Sequence, residues 1–477
     1  MRNEQQLIPG QMMKVPLGIV GGNHFGRYPK IGNERTWNMM VRDNALVPFP
    51  GYEAKVELMA GGEAREIYFS PRFQHFIVVV GAQVFAVTTA FAVTEIGSIN
   101  TNSGNVFISE NENAEIAIVD STTNIYVYNY VLNAFTVVPV GFRAASIVYQ
   151  DGYLIAADAD TNSWRLSETN NAMSWPATAP FQGALQSKAG DVVQIVAQLN
   201  RAIFVMGETV TETWFDTGTQ LFPYQRSNSN TIDYGVLNAE TVATGFNMCV
   251  WFGSNEKSGP NIFVTTGGQP EKISDDGMNF IFSHLTAPEK SFGFLYNIDG
   301  HICYQLTFTT DNLTFVYDFT EKLFYSLSDN KLNHHIAKRL AYANNKYYFI
   351  SFEDSKIYEM SSDFYTYDGE EIPRIRVEKN LRFPDASRFI INNANVTLEQ
   401  GLDQADQSVE LSISRDGGYS FQTVGTKVLK TIGNRPNQFI WFQLGAANDA
   451  VLQWRFYSAG RFVVIGGQLT IIPGVQF

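Results

Sequence analysis

Acidic side chains outnumber basic ones, 47 to 34. Glu110, Glu112, Asp216 and Asp275 are the kind of turn-region acids that could act as a carboxylate pair in hydrolysis. That chemistry needs two carboxyls set across a pocket, and no spacing in the chain selects a pair, so the same residues read equally as solvated turn acids. His334 and His335 are adjacent; on a strand such neighbours point to opposite faces and do not naturally share a metal. Cys249 and Cys303 both lie in apolar runs, where a thiol packs as a small hydrophobe, and two distant cysteines frame neither a disulfide scaffold nor a Cys-rich zinc site. Residues 18–26, GIVGGNHFG, are glycine-rich but lack the G-x-G-x-x-G spacing of a dinucleotide loop, and no helix pattern follows. No G-x-S-x-G, H-E-x-x-H or P-loop motif occurs. The expectation is a protein with no catalytic residues, no metal and no cofactor.

Two stretches have more local character. In residues 414–421, SRDGGYSF, Ser414, Asp416, Gly418, Ser420 and Phe421 resemble the Asp-box of sialidases and related propellers, S-x-D-x-G-x-T-W, with Phe in place of Trp. An Asp at that position can accept turn amides while glycine allows positive φ, so the motif reads as a hairpin lock, with a glycosidase signature as the alternative. Residues 207–218, GETVTETWFDTG, read as a sheet strand burying Trp214, with an aromatic and acidic binding rim as the alternative.

The elements that would position these residues are strands. In residues 299–329, Ile302, Tyr304, Leu306 and Phe308 alternate, as do Phe315 and Tyr317, then Leu323 and Tyr325. This predicts an antiparallel meander with one face in a core and the other nearer solvent. Similar units occur at 67–97, 106–138, 145–168, 192–218 and 241–274. A further unit, 340–363, either repeats the pattern or closes a ring with strands from the N-terminal arm. A spacing of roughly 35 to 50 residues is that of propeller blades, which bury by stacking the faces a single sheet leaves open. The predicted fold is therefore all-β: a β-propeller of six or seven degenerate blades over 63–365, an irregular Gly-, Pro- and Asn-rich arm over 1–62, and a C-terminal β-sandwich-like domain over 366–477. At 477 residues the chain is long enough for two or more domains. Its 45% hydrophobic and 14% aromatic content fills β-rich cores. A net charge of −13 argues against a broad basic grip on nucleic acid. No apolar run approaches the roughly 20 residues of a membrane span, and the first residues lack a signal-peptide apolar region, so a soluble protein made in a cytoplasm is expected.

The order of landmarks resembles one family. HFGRYPKIGN with LVPFPGY, then QDGYLIAADADTNSWRLSE, then the segment IVAQLNRAIFVMGETVTETWFDTGTQLFPYQRSN (with Gly207, Glu212, Trp214, Thr217-Gly218 and Phe222-Pro223), then CVWFGSN, GGQPEKIS, GHICYQLTF, TFVYD and SISRDGGYSF are similar, in sequence order, to packaged-DNA stabilisation proteins of short-tailed (podovirus-type) bacteriophages. Phe324-Tyr325 departs from that pattern, which commonly has an aromatic-His pair there. The resemblance implies a structural virion protein rather than an enzyme. It would be a tail hub or nozzle subunit, a homohexamer below the portal–adaptor complex that continues the DNA channel and retains the genome until ejection. It implies as partners the portal–adaptor proteins, a tail needle or plug, and tail fibres or tailspikes, with double-stranded DNA passing without tight binding. Assembly would take place in the host bacterial cytoplasm. A carbohydrate-binding or glycan-hydrolysing propeller at the virion surface is the alternative. Removing residues 1 to 50 is expected to leave a folded monomer that no longer assembles.

Overall fold

The computed structural model describes residues 11–26, 34–219, 222–383, 385–399, 407–429 and 438–474. The repeated meanders form seven antiparallel sheets around one axis. Blades one and two, spanning 64–98 and 107–139, have four strands each in simple up-down order, as do blades three to five, spanning 144–184, 193–232 and 243–272. Blade six begins with Ser291–Ile298 and ends with Leu323–Ser326. Blade seven has three strands of its own, Ala337–Ala343, Lys346–Ser351 and Lys356–Ser361. Its fourth strand is Gly51–Glu57, from the stretch expected to be arm, paired antiparallel to Lys356–Ser361. The ring is thus closed by strands from both ends of the propeller sequence, and its inner strands pack side by side all the way round, with Ala337–Ala343 against Ala64–Ser70 at the seam.

Three of the repeat units run further than the alternation indicated. Blade three takes its outer strand from Gln182–Ala184, after a loop that includes Pro180, and blade four takes its outer strand from Tyr224–Ile232. The inner strand of blade six, Ser291–Ile298, precedes the Asp299-Gly300 turn, where φ is +48° and +93°. The expected solvent-facing side of the meander is also absent here: nearly every residue of His301–Phe308 is buried. Each blade is covered on both faces by its neighbours, so β-branched and aromatic residues occupy both sides of the middle strands. In blade two, Ile116, Ala117, Ile118 and Val119 are all fully buried in succession.

The remaining strands make a sandwich joined to blade six. Arg35–Trp37 pairs parallel to Leu323–Ser326 on one side and antiparallel to Arg374–Val377 on the other. Val451–Tyr457, Gln407–Ser414 and Gln422–Leu429 follow, giving one nine-stranded sheet that runs from blade six into the C-terminal region. Facing it is a six-stranded sheet of Met13–Pro16, Met39–Arg42, Ala45–Pro48, Val464–Pro473, Phe389–Leu398 and Gln438–Ala447. One core serves both parts: Tyr296, Cys303, Tyr325 and Phe349 of blades six and seven belong to the same cluster as Trp441, Trp454 and Phe456 of the sandwich. Buried polar groups fasten the arm. The Asn38 side chain donates to Ser328 Oγ (2.8 Å) and accepts from Ser328 N (2.9 Å) and Tyr367 OH (3.1 Å). The fully buried Arg376 donates to the carbonyls of Gly18 (2.6 Å) and Gly22 (2.8 Å) and to Glu34 (2.7 Å).

Candidate functional site

The axis of the propeller is the natural place to look for a site, because inner strands from every blade converge there. It holds a cavity of 510 Å³ lined by residues of all seven inner strands, among them Tyr68, Ser109, Tyr149, Gln198 and Thr244. A buried guanidinium closes it on one side. Arg339, on the inner strand of blade seven, lies 3.2 Å from Glu66 of blade one and 3.2 Å from Glu240, which precedes blade five. It also donates to the carbonyls of Glu240 (2.7 Å) and Gly293 (3.2 Å). One side chain therefore ties four parts of the ring across the axis. Burial pushes the Glu66 carboxyl up to about 7, against the pull of Arg339. Beside this tie, Lys338 pairs with Glu63 at 3.1 Å, so two ion pairs bridge the seam between blades seven and one. The group is a structural clasp: its hydrogen-bonding capacity is directed at the protein itself.

The acids that might have formed a hydrolytic pair are dispersed. Glu110 accepts from Tyr130 OH (2.9 Å) and Tyr68 OH (3.4 Å) in blades one and two. Glu112 sits 3.8 Å from Arg72. Asp216 accepts from Gly218 N (2.7 Å) in a turn. Asp275 caps the short helix Asp276–Phe282 through Met278 N (2.7 Å). His334 and His335 diverge, although they lie in the segment before the strand Ala337–Ala343 and not on it. His334 stacks on Phe352, whereas His335 is buried among Tyr52, Phe349 and Tyr367, where burial drives it down to about 3. Among the described residues no group of three or more His, Cys, Asp or Glu could hold a metal ion. Cys249 and Cys303 are buried free thiols in different cores, and burial raises both, Cys249 to about 12.

The two local motifs are built into the fold. In 414–421, Asp416 accepts from Ser414 Oγ (2.6 Å), Tyr419 N (3.1 Å), Ser420 N (3.0 Å) and Ser420 Oγ (2.5 Å). These bonds hold its carboxyl well below the usual range, and both oxygens are spent on the hairpin. In 207–218, the fully buried Glu212 accepts from the amides of Gln186 (2.8 Å) and Ser187 (2.5 Å) and from the Trp214 indole (3.1 Å), and pairs with Arg226 (3.1 Å). Trp214 and Phe222 pack against Trp164, so this stretch organises the contact between blades three and four rather than a rim. Thr217 bonds the Pro223 carbonyl (2.7 Å) to close the intervening turn. Residues 18–26 are tied into the protein: the Asn23 and His24 amides donate to the Phe324 (2.5 Å) and Glu34 (2.9 Å) carbonyls, and the Gly18 and Gly22 carbonyls receive Arg376. The Tyr28-Pro29 feature lies outside the described residues. Sequence reasoning missed the Arg339 clasp entirely: Glu66 and Arg339 are 273 positions apart, and neither sits in a motif.

Solved structures with similar shape include a catalytically inactive virginiamycin B lyase from Staphylococcus aureus bound to quinupristin (10% identity, TM-score 0.46, covering 65% of this chain and 99% of that one). The WD40 propeller domain of Doa1 is similar too (10% identity, TM-score 0.42, covering 66% of this chain and 98% of that one). Likeness at this level carries nothing about activity. No curated protein matches the sequence. Residues 34–365 match the phage-stabilisation family described as bacteriophage P22 Gp10, β-propeller. That span starts at the strand wedged between blade six and the sandwich and ends just past blade seven, and over it the chain belongs to this bacteriophage family.

Proposed function

We propose that this protein is a structural subunit of the virion, a tail hub or nozzle component, and not an enzyme. Six copies form a ring below the portal–adaptor complex, and the opening enclosed by the ring continues the DNA channel. A needle or plug closes that opening until ejection, and fibres or tailspikes attach around it. The family match over 34–365 carries the phage role. The closed propeller axis supports the path assigned to DNA. A 510 Å³ cavity is the size of a small-molecule site, far too small for a duplex, so DNA passes between subunits rather than through a propeller. A chain of net charge −13 also suits a passage that must not grip phosphates, because each Lys or Arg contact adds affinity that would slow exit.

The test is imaging of particles that carry a tagged copy of this chain, together with filter binding of the purified protein to duplex DNA at low salt. The reading expects six tags around the tail axis and no submicromolar affinity. A tag off the tail, or tight DNA binding, overturns it. Glycan hydrolysis by the purified chain would instead favour the carbohydrate-active alternative; Glu110, Glu112, Asp216 and Asp275 form no pair, and the two carboxyls that approach each other at the axis, Glu66 and Glu240, are both held by Arg339.

A further inference from the structure

Two surfaces with exposed apolar side chains and no acidic group among the residues named lie far apart on the chain. The first is the outer hairpin of blade two. Residues 129–139, NYVLNAFTVVP, contain no charged side chain, and Val131 and Leu132 at the tip are 74% and 73% exposed. This tip is held in shape: the Asn129 side chain accepts from both Val131 N (3.1 Å) and Leu132 N (3.0 Å), and Asn133 adopts φ +49° to complete the turn. Val137, on the same hairpin, is 49% exposed. Two large aliphatic side chains on a rigid, uncharged projection cost solubility and contribute nothing to the core of their own blade.

The second surface is the outer face of the six-stranded sheet. Pairing across it sets Phe442, Asn393, Thr470 and Lys14 in one row, so this face is read directly from the register. Ile390, Phe442 and Ile465 stand exposed on it, and Lys14 is the only charge in that row. The other face of the same sheet is core, with Ile391, Ala394, Trp441 and Ile471 buried. Three paired strands of ten residues, Gln438–Ala447, Phe389–Leu398 and Val464–Pro473, give a face of roughly 33 by 14 Å, or about 450 Å².

We propose that the blade-two tip of one copy docks on the outer sheet face of the next copy. The occupant follows from charge and geometry. A second copy of a chain with net charge −13 is repelled wherever acidic surfaces meet, and these two patches can meet without bringing carboxylates together. They also lie on different sides of the molecule. The sandwich continues from blade six, and blade two is three of seven steps from it, roughly 150° around the axis. Unlike patches on well-separated sides join copies head to tail, which closes into a ring, whereas a patch meeting itself makes only a dimer. A hairpin tip covers only part of that face, less than a standard stable interface of roughly 800 Å² per partner, so each contact is weak and ring closure supplies the cooperativity. The inference names the subunit contact within the ring proposed above and rests on that reading for the closed assembly.

Sedimentation velocity of the purified chain at about 100 µM, a concentration suited to weak interfaces, tests it. Wild type is expected to associate. Val131→Glu/Leu132→Glu and Ile390→Glu/Phe442→Glu are each expected to be monomeric with an unchanged melting temperature. An equimolar mixture of the two variants keeps one good tip and one good face, and is expected to give 1:1 dimers and nothing larger. A Phe246→Glu control, at an exposed apolar position on blade five, should behave as wild type. A monomeric wild type, variants that associate normally, or a mixture that stays monomeric overturns the inference. Six tags around the tail axis of particles would still support the ring in those cases, so the two readings fail separately.

Discussion

At the scale of single residues, the ionisable groups of this chain are used to hold strands together, and several are buried at a cost that depends on pH. Glu66 and Glu378 are both pushed up to about 7 by burial, Glu66 beside Arg339 and Glu378 beneath the Trp454 indole. His335 is driven down to about 3 for the same reason. The signs oppose. Between pH 4.5 and 7 the folded chain holds protons on the two carboxyls that the unfolded chain releases, so each lowers stability by about 1.4 kcal/mol per pH unit as pH rises. Below about 6.5 the unfolded chain protonates the histidine while the fold resists, so that group lowers stability as pH falls, by a similar slope. Burial also lowers His334 and raises Glu353, so the prediction is made on a difference: relative to Glu66→Gln/Glu378→Gln, the wild type is expected to lose stability as pH rises from 4.5 to 7. Urea midpoints measured across this range check it. The double variant should lack that loss and keep only the slope of the remaining groups; a double variant whose midpoints follow the wild-type pH dependence would refute the assignment. None of this was legible in the sequence, because burial of a carboxylate is decided by neighbours hundreds of positions away.

The elements show where alternation suffices as a guide and where it fails. The middle strands of the blades, such as His301–Phe308 and Leu313–Asp318, were readable because β-branched and aromatic residues recur between Asp, Asn and Gly turns. Closure of the ring by a strand from the arm was one of two readings of 340–363, but the alternation did not single out Gly51–Glu57: Pro48 and Pro50 precede it, its composition is mixed, and its partner strand begins at Lys356. Nor did it single out Arg35–Trp37, three residues long, whose pairing joins the propeller to the sandwich. The closing strand is also packed without slack at its start. A Cβ on Gly51 would lie 2.3 Å from the Thr366 carbonyl and 2.7 Å from that of Phe364. Gly51→Ala is therefore expected to destabilise by about 1–3 kcal/mol, the range for overpacking. Hydrogen exchange should quicken first in Lys356–Ser361, which loses its partner. Uniform change across all blades would mean the strand is not a local closure.

For the whole molecule, the seven-bladed ring and the sandwich form one body through a shared core and a shared nine-stranded sheet. This revises the expectation for removing residues 1 to 50. That segment contains Met13–Pro16, Arg35–Trp37, Met39–Arg42 and Ala45–Pro48, so its loss takes a strand from between blade six and the C-terminal region and three more from the facing sheet. The truncated chain is expected to lose cooperative unfolding and expose the sandwich core to limited proteolysis, while blades one to five stay protected; a single intact unfolding transition would argue otherwise. The closing strand has a further consequence during synthesis. Residues 51–57 emerge from the ribosome about 300 residues before their partner at 356–361. At 5–20 residues per second they wait about 15–60 s with an unpaired edge. For that interval the strand is an open edge that another nascent chain could pair with, so synthesis, and not the finished ring, is the stage at which this fold is most exposed to strand capture.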